Sequence, residues 1–154
     1  MLKIKSSKLF LKLKREIESY RSKIKTNKRL IIEENSIHNK MSEYNLENFN
    51  QITNSSFTGS EEDVDEKKLN DFNESIDHYF KLYAPDDEEF KEFIKIISVY
   101  LTFIAKKPLH PPGIIFSNGA TVYQRGNSFY CTGKEIFLKD NPSLCKFCIC
   151  KKIS

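Results

Sequence analysis

Cys131, Cys145, Cys148 and Cys150 are the four cysteines of this chain, and none occurs before Cys131. Cys145 and Cys148 form a C-x2-C pair, and Cys131 sits upstream on what reads as a β-hairpin. Three thiolates can therefore meet near one point, at a spacing close to that of structural zinc sites. A fourth donor is available in Pro108-Leu109-His110-Pro111-Pro112-Gly113. Its prolines exclude a helix and Pro111 forces His110 into extended backbone, so a stiff loop presents the imidazole. Cys131, Cys145, Cys148 and His110 would make a closed Cys3His shell, which is structural, with Cys150 as the alternative fourth ligand. Lys134, Lys146, Lys151 and Lys152 lie close enough in sequence to offset three thiolates.

The same residues admit other chemistry. Four thiolates, with Cys150 brought in, could hold an iron–sulfur cluster, and Cys145 with Cys148 could form a redox pair. The plainest alternative is four small, semi-buried cysteines that pack the tail. If His110 stood off the metal, an open three-cysteine site with His110 or Glu135 as base would suit hydrolytic or lyase-like chemistry. Glu135 and Asp140 are the only carboxylates of the C-terminal block. No phosphate-cradling glycine loop, G-x-S-x-G elbow or H-E-x-x-H is present, so whether the chain is an enzyme stays open.

A different class is a binding module. Arg125, Lys134, Lys139, Lys146, Lys151 and Lys152 interleave with Tyr123, Phe129, Tyr130 and Phe147. That mixture suits RNA, single-stranded DNA or a protein partner, and the exposure of the rings discriminates. His38 and His78, in polar or amphipathic helical context, read as surface or capping residues rather than ligands.

To position these groups the chain needs a frame. At 154 residues it fits one domain, 1–154, burying about two-thirds of its unfolded surface, so a metal would pin the tail and not the whole fold. Leu9, Leu13, Ile17, Tyr20 and Ile24 mark one stripe of a long first helix. Asn45 to Thr58 is polar with little pattern beyond Leu46, Phe49 and Ile52, so any helix there is short, and about 45–60 is the stretch expected to be most mobile. Ser60, followed by Glu61, Glu62 and Asp63, reads as the N-cap of an amphipathic helix carrying Leu69, Phe72, Ile76, Tyr79, Phe80 and Tyr83 that ends at Ala84-Pro85. Phe90 to Ile104 is apolar around most of its circumference and should be the core helix.

From Pro108 the pattern changes. Short β-type runs at Ile114–Phe116, Ala120–Tyr123 and Phe129–Cys131 alternate with turn signals, as in a small antiparallel meander. Asn141 and Pro142 then open a last helix carrying Cys145 and Cys148 on one side. The expected class is α+β: a mainly helical body over 1–107, then a Cys/His tail over 108–154 with a hairpin and a short C-terminal helix braced by the metal.

Charge is segregated. Residues 1–34 carry +7, residues 43–92 carry −11 and residues 93–154 carry +7. The basic N-terminal arm, Lys3 to Arg29, could contact nucleic acid or an anionic membrane. The acidic middle makes a helix face neutralised within the fold the preferred reading. No apolar run is long enough to cross a bilayer and no uninterrupted signal-peptide core opens the chain, so a cytoplasmic setting is expected, where thiols stay reduced.

His110-Pro111-Pro112-Gly113, Phe116 with Gly119, Tyr130-Cys131, Asp140-Asn141-Pro142 and Cys145-Lys146-Phe147-Cys148 occur in order over roughly the last 45 residues. Together they resemble the C-terminal signature of an uncharacterised archaeal family, found mainly in methanogens, domain of unknown function 2115. The resemblance implies an archaeal origin and brings no catalytic residue. Its pattern pairs an early His-Pro with three later cysteines, which favours His110 as fourth ligand. Two departures stand out: Cys131-Thr132-Gly133-Lys134 replaces a usual Cys-Pro-Val-Lys, and Cys150 replaces a more usual alanine.

Overall fold

Strand β1 (Lys3–Lys5) pairs antiparallel with β2 (Asp63–Asp65), in the register Lys3↔Asp65, Ile4↔Val64, Lys5↔Asp63. The computed structural model that shows this describes residues 2–26, 36–140 and 143–152. The ribbon sets basic against acidic side chains, with Lys5 Nζ 2.7 Å from Asp63 Oδ1. Part of the N-terminal charge is thus neutralised inside the fold.

Helix α1 (Ser6–Glu18) follows directly and buries Leu9, Phe10, Leu13 and Ile17. Its N-terminus is capped from afar: Glu61 accepts the Ser7 backbone N–H at 2.9 Å and the hydroxyls of Ser6 and Ser7. A carboxylate there meets the positive end of the helix dipole. The expected single long helix breaks at Ser19-Tyr20 and resumes as α2 (Arg21–Thr26), where the Ile24 side chain lies outside the described residues.

Two further expectations are corrected. A 19-residue helix, α3 (Ser36–Asn54), covers most of the stretch read as patternless. Its buried face mixes Tyr44, Phe49 and Ile52 with Ser42, Asn45, Asn48 and Thr53, which dilutes the apolar periodicity. Asn48 and Thr53 donate back to the carbonyls of Tyr44 and Phe49, so burial leaves those groups satisfied. Nor is Ser60 a cap. Helix α4 (Glu66–Tyr83) starts after Asp65, whose carboxylate accepts the Lys67 N–H at 2.9 Å.

Helix α4 packs Leu69, Phe72, Ile76 and Phe80 toward α5 (Glu88–Val99), which contributes Phe93, Ile96 and Ile97 to the same core. Asp77 bridges the pair, receiving Lys95 at 2.6 Å and Lys91 at 3.3 Å. The core helix does not end as an ordinary α-helix. Tyr100–Ala105 widen into a π-helical turn, Lys106 adopts φ 56°, and the Lys107 N–H reaches the Leu101 carbonyl. Pro108 follows, its carbonyl accepting the buried Tyr44 hydroxyl at 2.6 Å.

The tail is a second, smaller layer that leans on the helical core through Leu109, Leu144 and Phe147. An isolated bridge Ile115↔Thr121 leads into the hairpin of β3 (Val122–Arg125) and β4 (Ser128–Cys131), turning at Gly126 with φ 62°. Next come α6 (Lys134–Phe137) and β5 (Lys151–Lys152), which pairs parallel to β4. The fold is α+β, with a large core among the helices and a small one around Ile114, Val122, Cys131 and Cys150. The last helix expected through Cys145 and Cys148 is a run of tight turns, and the short tail helix is α6. Asn141 and Pro142, read as its opening, lie outside the described residues. No helix among the described residues is long and apolar enough to cross a membrane.

Candidate metal centre

Cys131 ends β4 opposite Val122, so its side chain shares Val122's face and enters the small core. The chain then turns sharply at Thr132-Gly133 into α6. This turn aims the backbone N–H groups of Gly133 and Lys134 at the Cys131 sulfur. Strand β5 aligns Lys151 with Tyr130 and Lys152 with Cys131, which draws the preceding Cys150 into the same core. Between them, Phe147 donates to the Leu144 carbonyl and Cys148 to the Cys145 carbonyl, so the C-x2-C pair sits on a single turn. Ser143 closes that turn, donating to the Phe137 carbonyl and accepting the Cys145 N–H.

All four cysteines are free and each titrates under the influence of another. Cys148 accepts the Cys150 thiol proton and the backbone N–H groups of Leu109 and Cys150. With Lys134 close, these outweigh burial and bring it down to about 6. Cys150 is driven up, first by the bond it gives Cys148 and then by burial. Cys145 is pushed up to about 11, chiefly by burial, with the charges of Cys148 and Cys131 adding. Burial likewise raises Cys131 against the pull of its two N–H donors. Among the described residues, no three His, Cys, Asp or Glu side chains close to metal-ligating geometry in this conformation.

The π-helical turn delivers the proline loop to this cluster. Leu109 N–H reaches the Cys148 sulfur, which brings the backbone next to His110 against the site. The His110 ring stands edge-on to Phe116, centroids 4.9 Å apart, and burial pushes its pKa down to about 4, so it is neutral at physiological pH. Glu135 and Asp140 are both exposed, Glu135 within α6 and Asp140 three residues beyond its end. His78 lines an open cleft of about 520 Å³ with Lys68, Asp71, Glu74, Ser75, Lys146 and Phe147, and no cysteine borders it. The His38 side chain lies outside the described residues.

Lys134 has a role that composition alone did not assign. Its ammonium donates to the carbonyl oxygens of both Cys148 and Cys150, and its charge lowers all four cysteines. The signal was its place three residues after Cys131, at the start of α6. Lys146 instead lies over the Phe147 ring, and Lys151 donates to Ser128. The aromatic residues divide. Phe147 packs edge-on against Phe72 at 5.0 Å and Phe129 joins the small core, whereas Tyr123 and Tyr130 stack on each other, half-buried.

Comparison with known proteins gives the chain a lineage. The chain is 37% identical to a UPF0305 protein of Methanocaldococcus jannaschii, across 97% of this chain and 98% of that one. A UPF0305 protein of Methanothermobacter thermautotrophicus is 36% identical over 56% of this chain and 53% of its own length. One from Methanococcus maripaludis is 31% identical over 44% and 41%. No solved structure matches. The family model for an uncharacterised protein conserved in archaea, DUF2115, matches residues 5–153, nearly the full sequence. The chain therefore belongs to the DUF2115 family of uncharacterised archaeal proteins.

Proposed function

We propose that this protein works in the reducing cytoplasm as one folding unit, its C-terminal tail locked by a structural zinc ion held by Cys131, Cys145, Cys148 and His110. The observation that carries the reading is the pair of N–H···S cradles. Gly133 and Lys134 donate to Cys131, while Cys150 and Leu109 donate to Cys148. Backbone donors around sulfur stabilise thiolates and fix their direction, which is what a ligand needs from its surroundings.

The donor chemistry fits zinc. Three thiolates and a neutral imidazole satisfy its preference for sulfur and nitrogen, and burial already keeps His110 unprotonated. Bound there, zinc would supply cross-linking energy between the proline loop, the hairpin and the terminal turns. The backbone N–H groups of Leu109 and Cys150 both point at Cys148, and among the described residues none is directed at the Cys150 sulfur, so Cys150 is not the preferred fourth ligand.

The test is elemental analysis and an absorption spectrum on protein purified without air and without a metal-binding tag. About one zinc per chain without visible absorption is expected, lost in Cys131→Ser and Cys148→Ser. Unchanged metal content in both variants sinks the proposal, and iron with broad visible absorption replaces it with a cluster protein. Loss of zinc in Cys150→Ala but not in His110→Ala would move the fourth ligand to Cys150.

A further inference from the structure

The outer face of the β3–β4–β5 sheet brings aromatic rings and cations together. Side chains alternate across a strand, so Val122, Phe129 and Cys131 point to the small core while Tyr123, Arg125, Ser128 and Tyr130 share the opposite face. Tyr123 and Tyr130 are direct cross-strand partners and stack with centroids 5.3 Å apart and an interplanar angle of 19°. The Arg125 guanidinium lies 5.9 Å from the Tyr123 ring centre. On the other side, Lys151 is aligned with Tyr130 and its ammonium donates to Ser128 at 3.2 Å.

Two flat rings are thus flanked by two exposed cations on a rigid, hydrogen-bonded ribbon. Charge strengthens the pattern. No Asp or Glu occurs anywhere from residue 93 to residue 134, a stretch that carries Lys95, Lys106, Lys107, Arg125 and Lys134. A sheet face with aromatic rings and cations but no carboxylate is complementary to a polyanion with flat, unstacked bases. Duplexes offer only their backbone to such a face, since their bases are already stacked.

We propose that this face, centred on Tyr123 and Tyr130, binds single-stranded RNA, with bases stacking on the tyrosines and Arg125 and Lys151 meeting the flanking phosphates. RNA is chosen over DNA because the rings are bordered by hydroxyls, those of the two tyrosines and of Ser128, that can pair with a ribose 2′-OH. The assignment is independent of the metal. It uses the side of the hairpin that faces away from the cysteines.

The test is fluorescence anisotropy with a labelled, mixed-sequence RNA of about ten nucleotides. The same strand as DNA and the RNA duplex run in parallel, with full-length protein. Binding to the single-stranded RNA is expected at about 50 mM salt and should weaken roughly tenfold by about 200 mM, with the duplex and the DNA bound more weakly. Tyr130→Leu, which keeps apolar cover over the sheet, should weaken binding roughly fivefold or more. The exposed pair Arg125→Gln with Lys151→Gln, which leaves the core untouched, should weaken it comparably and flatten the salt dependence. No RNA binding at low salt overturns the proposal, as does binding that neither variant changes. DNA bound more tightly than RNA, with the same sensitivity to the variants, overturns the choice of RNA.

Discussion

The Lys134 ammonium lies 2.9 Å from the carbonyl oxygen of Cys148 and also donates to that of Cys150, so one side chain at the start of α6 clasps the terminal turns to the hairpin. Lys134→Met keeps the aliphatic stem and removes the clasp. Charged hydrogen bonds of this kind are worth about 1.5–3 kcal/mol, and the tail should loosen by about that much. Thermal unfolding of the metal-free variant measures it. A melting temperature equal to that of the parent would mean the clasp contributes nothing.

Gly133 is required by space and not by backbone angle, since its φ is an ordinary −94°. A Cβ there would stand 2.6 Å from the Phe137 ring and 2.8 Å from the Ala120 Cβ. Gly133→Ala must push Phe137 aside and shift the two N–H donors that face Cys131. Overpacking of this kind costs about 1–3 kcal/mol. Denaturant unfolding should show the loss, accompanied by weaker zinc retention in a chelator competition. An unaltered midpoint would show that Phe137 yields freely.

Tyr44→Phe isolates the joint between α3 and the proline loop. The hydroxyl is buried and bonds to the Pro108 carbonyl at 2.6 Å, so its removal strands an acceptor out of reach of water. A destabilisation of about 1–2 kcal/mol is expected from equilibrium unfolding. The loop should also exchange its amide protons faster, beginning with Leu109, whose N–H faces Cys148. Protection of Leu109 equal to the parent's would separate the joint from the metal centre.

Acid should act on the seam between α4 and α5. Burial alone would lift the Asp77 carboxyl, but hydrogen bonds from Lys95 and Lys91, with their charges, outweigh it and hold it below its ordinary 3.8. The folded state therefore releases this proton at lower pH than the unfolded state. The stabilisation is fully present above about 3.8 and fades as pH falls through the lower folded value. Because Asp77 is 46% exposed, solvent screening limits the effect to about 0.5–1 kcal/mol. Asp77→Asn should cost that much at pH 7, and the two proteins should converge in stability as the pH is brought below the folded-state value. A constant difference down to that pH would point to packing and not charge.

The elements that were legible from residue types are those whose burial is apolar and periodic. Leu69, Phe72, Ile76 and Phe80 trace α4, Phe93 to Phe103 trace the core helix, and Arg125-Gly126-Asn127 locates the hairpin turn. Helix α3 was hidden because Ser42, Asn45, Asn48 and Thr53 are buried with it, and their hydrogen bonds, not their hydropathy, make this tolerable. Strands β1 and β2 were hidden because each has one apolar residue, Ile4 or Val64, between two charged ones. At the candidate centre, spacing predicted that three sulfurs meet; the structure sets all four cysteines within electrostatic reach of one another and closes no ligand set among the described residues. The backbone donors from Gly133, Lys134 and Leu109 depend on turn geometry that residue types do not encode.

The remote capping of α1 also bears on how the chain is made. Ser7 waits for a carboxylate 54 residues further along, and β1 waits for β2. During synthesis the first helix can emerge from the ribosome long before its stabilising partners exist. Its apolar stripe of Leu9, Phe10, Leu13 and Ile17 is uncovered until α3 is made, and only partly covered until α5 and the π-helical turn follow. Closing so long a loop is slow compared with local helix formation, so the docking of α1 is a late, non-local event in folding. A chain truncated before Glu61 should leave the N-terminus of α1 uncapped and its stripe covered by α3 alone, whereas one extending through α5 and the π-helical turn can complete that cover.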